Sequence, residues 1–193
     1  MKTVESYRPL AVFDCHLALD SMKTRLAVAA DLADVMACED LAFNSTPSTP
    51  LGNSTLGNNV SPRAELALQI DRGEIHVITA GSLFLGYISF SQKHDHLFVA
   101  AIAVLPKYHR TGSGSRLLSL AESTASRLGL GKVHLFTDGH SAGNLKFYRR
   151  LGYHETGRCQ EGEFFRVYLC KAVGGTTQGN APPTRHRSTL SAA

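Results

Sequence analysis

The chain has 193 residues, 43% of them hydrophobic and 19% charged, with 20 Lys and Arg against 16 Asp and Glu for a formal net charge of +4. That length supports one domain with a real core rather than two, and the mild basicity suits an anionic ligand. No dense Lys/Arg stripe with interleaved aromatics occurs, which excludes a dedicated nucleic-acid binder, and no run has the apolar length to cross a bilayer. Residues 1–22 show no clear period and no signal-peptide core, and are expected to form an accessory segment of a cytoplasmic protein. TRLAVA (24–29) reads as a short strand, and Asp31 is placed to cap a helix carrying Leu32, Val35 and Met36 as far as Phe43. NSTPSTPLGNSTLGNNV (44–60) is almost all Ser, Thr, Asn, Gly and Pro. Such a stretch buries too little apolar surface to order itself and predicts a flexible loop.

A second helix starts at Ser61 as N-cap with Pro62 in its first position, and Gly73 stops it. EIHVITA (74–80) and LFLGYISF (83–90), joined by Gly81-Ser82, predict a hairpin. LFVAAIAVL (97–105) is apolar on both faces and so is a central strand. The next helix aligns Leu117, Leu118, Ala121, Ala125 and Leu128 and ends at Gly129. KVHLFTD (132–138) is a strand, Ser141 is expected to cap a short helix bearing Leu145, Tyr148 and Leu151, and YHETGRC (153–159) and FFRVYLCK (164–171) close the domain. Residues 172–193 read as a disordered tail. The order β-α-α-β-β-β-α-β-α-β-β describes one mixed α/β domain over residues 23–171.

Cys15, Cys38, Cys159 and Cys170 are scattered without CxxC spacing and are read as reduced, largely buried thiols. The sites Asn44, Asn53 and Asn59 match the glycosylation sequon but are read as loop composition. His94-Asp95-His96 sits at a hairpin turn without a third well-spaced ligand and reads as a solvated turn, so no metal is expected.

The stretch YHRTGSGSRLL (108–118) puts two glycines and two cations between a strand and a helix. Gly112 and Gly114 permit close backbone approach, and the amides that open a helix attract an anion. It is not a P-loop, since Ser115-Arg116 follows the second glycine, and Leu117 replaces the third glycine of a dinucleotide fingerprint. The residues alone leave a phosphate cradle and a plain tight turn equally open.

VLPKYHRTGSGSRLL (104–118) resembles the acetyl-CoA pyrophosphate loop of the GNAT superfamily of N-acetyltransferases, and GNLKFYRRLGY (143–153) resembles the helix that closes its cofactor site. RLAVAADLADVMACEDLAF (25–43) is similar to its opening strand and helix, so the resemblance spans about residues 24–171. It implies a mixed sheet splayed between strands 4 and 5 and flanked by helices, with acetyl-CoA as cosubstrate. By position, it implies that the backbone of Ile102, Ala103 and Val104 pairs with the pantetheine arm, and that His109, Arg110, Thr111, Gly112, Ser113, Gly114 and Ser115 hold the pyrophosphate. It further implies that Asn144 bonds the pantetheine and that Tyr148 protonates the departing thiolate.

Two departures stand out. His109 occupies a position that is Gln or Arg in most relatives, and the strand position where many carry a Glu base falls near Ala100 and Ala101. His134, expected to face the splay, is a substitute candidate, a structural role being the alternative. Tyr87 is a candidate to line the acceptor pocket or to sit in the core. The resemblance thus implies an N-acetyltransferase acting by direct transfer to a primary amine; a small-molecule acceptor is expected because no adaptor-like segment or extra recognition domain is read in the sequence, and a monomer or homodimer is expected. A non-catalytic acyl-CoA-binding module and a protein N-terminal or lysine acetyltransferase are the alternatives.

Overall fold

A computed structural model describes residues 21–43, 61–162 and 164–174. Residues 1–20, the stretch 44–60 and the tail from 175 lie outside it, and with them Cys15, Asn44, Asn53 and Asn59. In chain order the elements are β1 (Met22–Leu26), α1 (Leu32–Phe43), α2 (Pro62–Asp71), β2 (Ile75–Ala80), β3 (Leu83–Gln92), β4 (Leu97–Val104), α3 (Ser113–Arg127), β5 (Lys132–Asp138), α4 (Ala142–Arg150), β6 (His154–Glu161) and β7 (Phe164–Ala172). Single 3-10 turns, Ala29–Asp31 and Pro106–Tyr108, precede α1 and follow β4.

Local chemistry explains most of the boundaries. Ser61 Oγ accepts the Ala64 N–H at 3.3 Å, and Pro62, which has no N–H to spend, opens α2. Gly73 ends that helix at φ +69°, where only glycine is comfortable. Two capping expectations need correction. Asp31 does not cap α1; its carboxylate accepts the Val28 N–H at 2.7 Å and both guanidinium arms of Arg25 at 2.6 and 2.7 Å, bracing the turn ahead of the helix. Ser141 precedes α4 without a side-chain cap bond.

The seven strands form one sheet in the order β1-β2-β3-β4-β5-β7-β6, antiparallel throughout except between β4 and β5. Helices cover both faces, giving two cores. Against one face, α3 and α4 bury Leu117, Leu118, Ala121, Ala125 and Tyr148 over Ile88, Val99, Val133 and Leu169. Each large aliphatic chain so buried contributes about 1.5–3 kcal/mol. Against the other, α1 and α2 bury Val35, Cys38, Leu66 and Ile70 over Ile75, Val77, Tyr87 and Ala103.

The ladder between β4 and β5 is short. Leu97, Phe98 and Val99 pair with Val133, His134 and Leu135, and the pairing stops there. Among the described residues the rest of β4, up to Val104, keeps its partner β3 on one side and has no strand on its other edge. The sheet is therefore splayed between its fourth and fifth strands, as expected.

Candidate active site

Strand alternation decides which backbone groups of β4 reach the splay. The Leu105 N–H bonds the Leu85 carbonyl at 2.9 Å across to β3. Along an extended strand, alternate residues turn their N–H and C=O groups to the same neighbour. Ala103 therefore also faces β3, and Gly86, which pairs with the adjacent Val104, must lack a Cβ because one would collide with the Ala103 carbonyl oxygen. Of the three residues expected to pair with pantetheine, Ile102 and Val104 turn their groups to the open edge and Ala103 does not.

The glycine-rich stretch splits into parts with different jobs. Gly112 is the N-cap of α3 at φ +87°, and Arg110 is also left-handed at φ +63°. Because α3's first internal bond runs from Arg116 N–H to Gly112 C=O at 3.0 Å, the amides of Ser113, Gly114 and Ser115 have no intrahelical acceptor. Gly112 has no side chain with which to cap them, and the positive end of the helix dipole lies there. Gly114 is helical, and the ring of Phe147 from α4 comes within 3.2 Å of where its Cβ would lie, so this glycine lets α4 close on α3. The hydroxyls brace the loop itself: Thr111 Oγ1 donates to the Tyr108 carbonyl at 2.8 Å and lies 2.7 Å from Ser113 Oγ.

His109 turns back to β4, where its Nε2 lies 2.9 Å from the Val104 carbonyl oxygen and must carry the hydrogen. It anchors the loop to that edge of β4. Asn144, exposed on α4, donates from its side-chain amide to Thr137 Oγ1 of β5 at 3.3 Å. Tyr148, only 6% exposed, packs edge-on to Tyr153 at 6.0 Å between ring centroids and beside Phe147 at 5.3 Å. Burial pushes its phenol well above the ordinary tyrosine range, so it remains a proton donor at any ordinary pH.

His134 is not where it was expected. It sits in the paired part of the β4–β5 ladder opposite Phe98, its ring 4.3 Å from that of His96, and its Nε2 is buried without a partner among the described residues. At about 3.3 Å per residue, four residues of strand separate Phe98 from Ile102, roughly 13 Å. Burial, with the neighbouring charges of His96 and Lys132, lowers its pKa. In the nearby turn Asp95 engages His96 at 2.7 Å and Lys132 at 3.4 Å and is drawn down to about 2. No three His, Cys, Asp or Glu side chains converge on a metal-sized site among the described residues. Cys38 and Cys170 are buried and the Cys38 thiol is pushed up to about 12, whereas Cys159 is exposed, contrary to the reading of all four as largely buried.

A group that sequence reasoning missed lies over β3 on the opposite face. Tyr87, fully buried, donates its hydroxyl to Glu39 Oε1 of α1 at 2.7 Å, and Ser89 donates to Gln69 Oε1 of α2 at 2.9 Å. Of the two places open to Tyr87, pocket wall and core, it takes the core, with its hydroxyl engaged. Its partner was beyond reach, since nothing in the sequence ties residue 39 to residue 87.

Comparison with known proteins bears on the fold and the family. The profile of the acetyltransferase (GNAT) family matches residues 54–153. Ribosomal-protein-S18-alanine N-acetyltransferase from Escherichia coli superposes with a TM-score of 0.64 at 16% identity over 83% of this chain and 99% of that one. PaiA N-acetyltransferase from Thermoplasma acidophilum, solved in complex with coenzyme A, gives 0.64 at 16% over 77% and 98%. YncA, described as a putative acetyltransferase from Salmonella typhimurium with its cofactor acetyl-CoA, gives 0.62 at 19% over 83% and 99%. No curated protein matches the sequence. No helix among the described residues is long and apolar enough to cross a membrane.

Proposed function

The chain belongs to the GNAT acetyltransferase family, and from that premise we propose that it transfers the acetyl group of acetyl-CoA to the primary amine of a small molecule within a ternary complex. Three features support this best: the edge of β4 at Ile102 and Val104 beyond the short ladder with β5, the amides of Ser113 to Ser115 at the start of α3, and the buried phenol of Tyr148. They fit coenzyme A by chemistry. Amides at a helix start with a left-handed glycine before them suit a pyrophosphate, and an unpaired strand edge suits the amides of a pantetheine arm. When bound, acetyl-CoA supplies an acyl carbon activated as a thioester.

The chain's own residues do the rest. The N–H of Val104 points at the edge where the thioester oxygen would lie and polarises it, while His109 holds the neighbouring carbonyl in place. Tyr148 keeps its proton at ordinary pH and delivers it to the sulfur as the C–S bond breaks. We take the acceptor to be a small molecule, with a peptide N-terminus as the alternative that the panel below separates.

The test is calorimetric titration with acetyl-CoA, followed by free-thiol release across a panel of small amines and of peptides with free N-termini. We expect micromolar binding and turnover with small amines. Tyr148→Phe should bind acetyl-CoA as tightly as the parent and turn over about 100-fold more slowly. Binding without turnover on any amine would leave the non-catalytic module as the reading; turnover on peptides alone would replace the acceptor class.

A further inference from the structure

No acidic side chain stands on β4, which carries Ala100, Ala101 and Ala103. We propose that Glu39, delivered from α1 and held by Tyr87, is the group that takes the first proton from the acceptor's ammonium; the inference rests on the transferase reading above.

Placement carries it. Tyr87 stands directly opposite Ala103 in the β3–β4 register, two residues along from the pairing of Ser89 with Ala101. Directly opposed residues on one face have Cβ atoms about 4.5–5.5 Å apart. Helix α1 lies across β3 and β4 on that face, and Ala101, Ala103 and Tyr87 share its core with Val35 and Cys38. The methyl side chains of Ala101 and Ala103 put no carboxylate over this part of β4, and the helix packed on it brings one. It is Glu39, half-buried, with one oxygen fixed by the Tyr87 hydroxyl at 2.7 Å.

The electrostatics suit the task. Burial raises the Glu39 pKa, the Tyr87 hydrogen bond opposes that, and the negative neighbours Asp40 on α1 and Glu65 on α2 raise it further. Cys38, also facing this site from α1, is a neutral thiol, and the guanidinium of Arg63 on α2 is turned to Met36 Sδ at 3.5 Å. A carboxylate of raised basicity is a better proton acceptor near neutral pH than an ordinary one.

The proton balance closes. Glu39 accepts one proton from the ammonium, and the freed lone pair on nitrogen forms the bond to the acyl carbon. The C–S bond breaks with its electron pair on sulfur, which takes the Tyr148 proton. The second proton on nitrogen restores the phenol, and Glu39 releases the first to solvent.

The experiment uses the full chain with acetyl-CoA and the best amine of the panel, recording pH–rate profiles beside calorimetric acetyl-CoA affinity and circular dichroism. Glu39→Gln should bind acetyl-CoA within about two-fold of the parent and lose about 100-fold or more in kcat/KM. Tyr87→Phe removes the bond that favours the carboxylate, so the acidic limb of its profile should move to higher pH while affinity stays unchanged; this variant decides the matter should Glu39→Gln misfold. A folded Glu39→Gln within two-fold of the parent in kcat/KM, or an acidic limb unmoved in Tyr87→Phe, overturns the role of Glu39 while leaving the transferase reading intact. A parent without acetyl-CoA binding or turnover overturns both.

Discussion

Gly112 and Gly114 look interchangeable in the sequence and have opposite duties in the structure, which makes a paired alanine substitution informative. Gly112 sits at φ +87° with nothing within 4 Å of an added Cβ, so Gly112→Ala costs only what the left-handed conformation costs an L-residue, about 1–2 kcal/mol. Either the alanine stays left-handed and the penalty appears as lost stability, or the loop relaxes and acetyl-CoA binding must restore it. The acetyl-CoA-bound form therefore loses about 1–2 kcal/mol by either route, equal to a 5–30-fold loss of affinity or, for a domain this size, a Tm lower by about 2–8 °C. Gly114→Ala gains about 0.8–1 kcal/mol of helix propensity but meets the Phe147 ring at 3.2 Å, which must give by a few tenths of an ångström. Its net stability change should be near zero and its acetyl-CoA affinity within about three-fold. Thermal melts with and without saturating acetyl-CoA, together with calorimetry, measure both quantities. The division of labour is refuted if Gly114→Ala weakens binding more than Gly112→Ala, or if the two penalties in Gly112→Ala sum to less than about 0.5 kcal/mol.

Two further predictions concern the scaffold. The Asp31 carboxyl is held below its ordinary value chiefly by its hydrogen bonds to Arg25, so its contribution is fully present above about pH 4 and fades as pH falls through the depressed folded value. Urea midpoints of the parent and Asp31→Asn should accordingly differ at pH 7 and converge in acid; a gap that does not change with pH would assign the loss to packing instead. Lys171 reaches Glu122 at 2.7 Å with both side chains largely shielded, and Glu122→Gln should lower stability by about 1–2 kcal/mol. An unchanged denaturation midpoint would show that the pair contributes nothing net.

Elements whose ends are written in local chemistry were legible from the sequence: Ser61-Pro62 starting α2, the hairpin at Gly81-Ser82, and the alternation of KVHLFTD, whose strand runs over the predicted residues Lys132–Asp138. The splay followed from the resemblance carried by YHRTGSGSRLL and GNLKFYRRLGY. The errors arose where a side chain had a partner beyond its own turn. Asp31 was read as a helix cap because its bond to Arg25, on the preceding strand, leaves no periodic trace. His134 was placed towards the splay because strand alternation tells which face a residue occupies but not where a ladder stops; only the register with Phe98 does that. The Tyr87–Glu39 bond joins residues 48 apart, across the stretch 44–60, and follows from the docking of α1 on β3 rather than from any motif.

The three-pair ladder from Leu97 to Val99 is the whole strand seam between a four-stranded and a three-stranded block. On the transferase reading, a pantetheine arm lying in the splay does structural duty as a missing length of strand. The acyl donor then becomes a stabiliser in its own right, adding RT ln(1 + [L]/Kd), about 2.7 kcal/mol at a hundred times its dissociation constant. Heat tolerance in this protein is on that account a property shared between the chain and the concentration of its cosubstrate, and each loss of the product from the splay returns the sheet to its weaker seam.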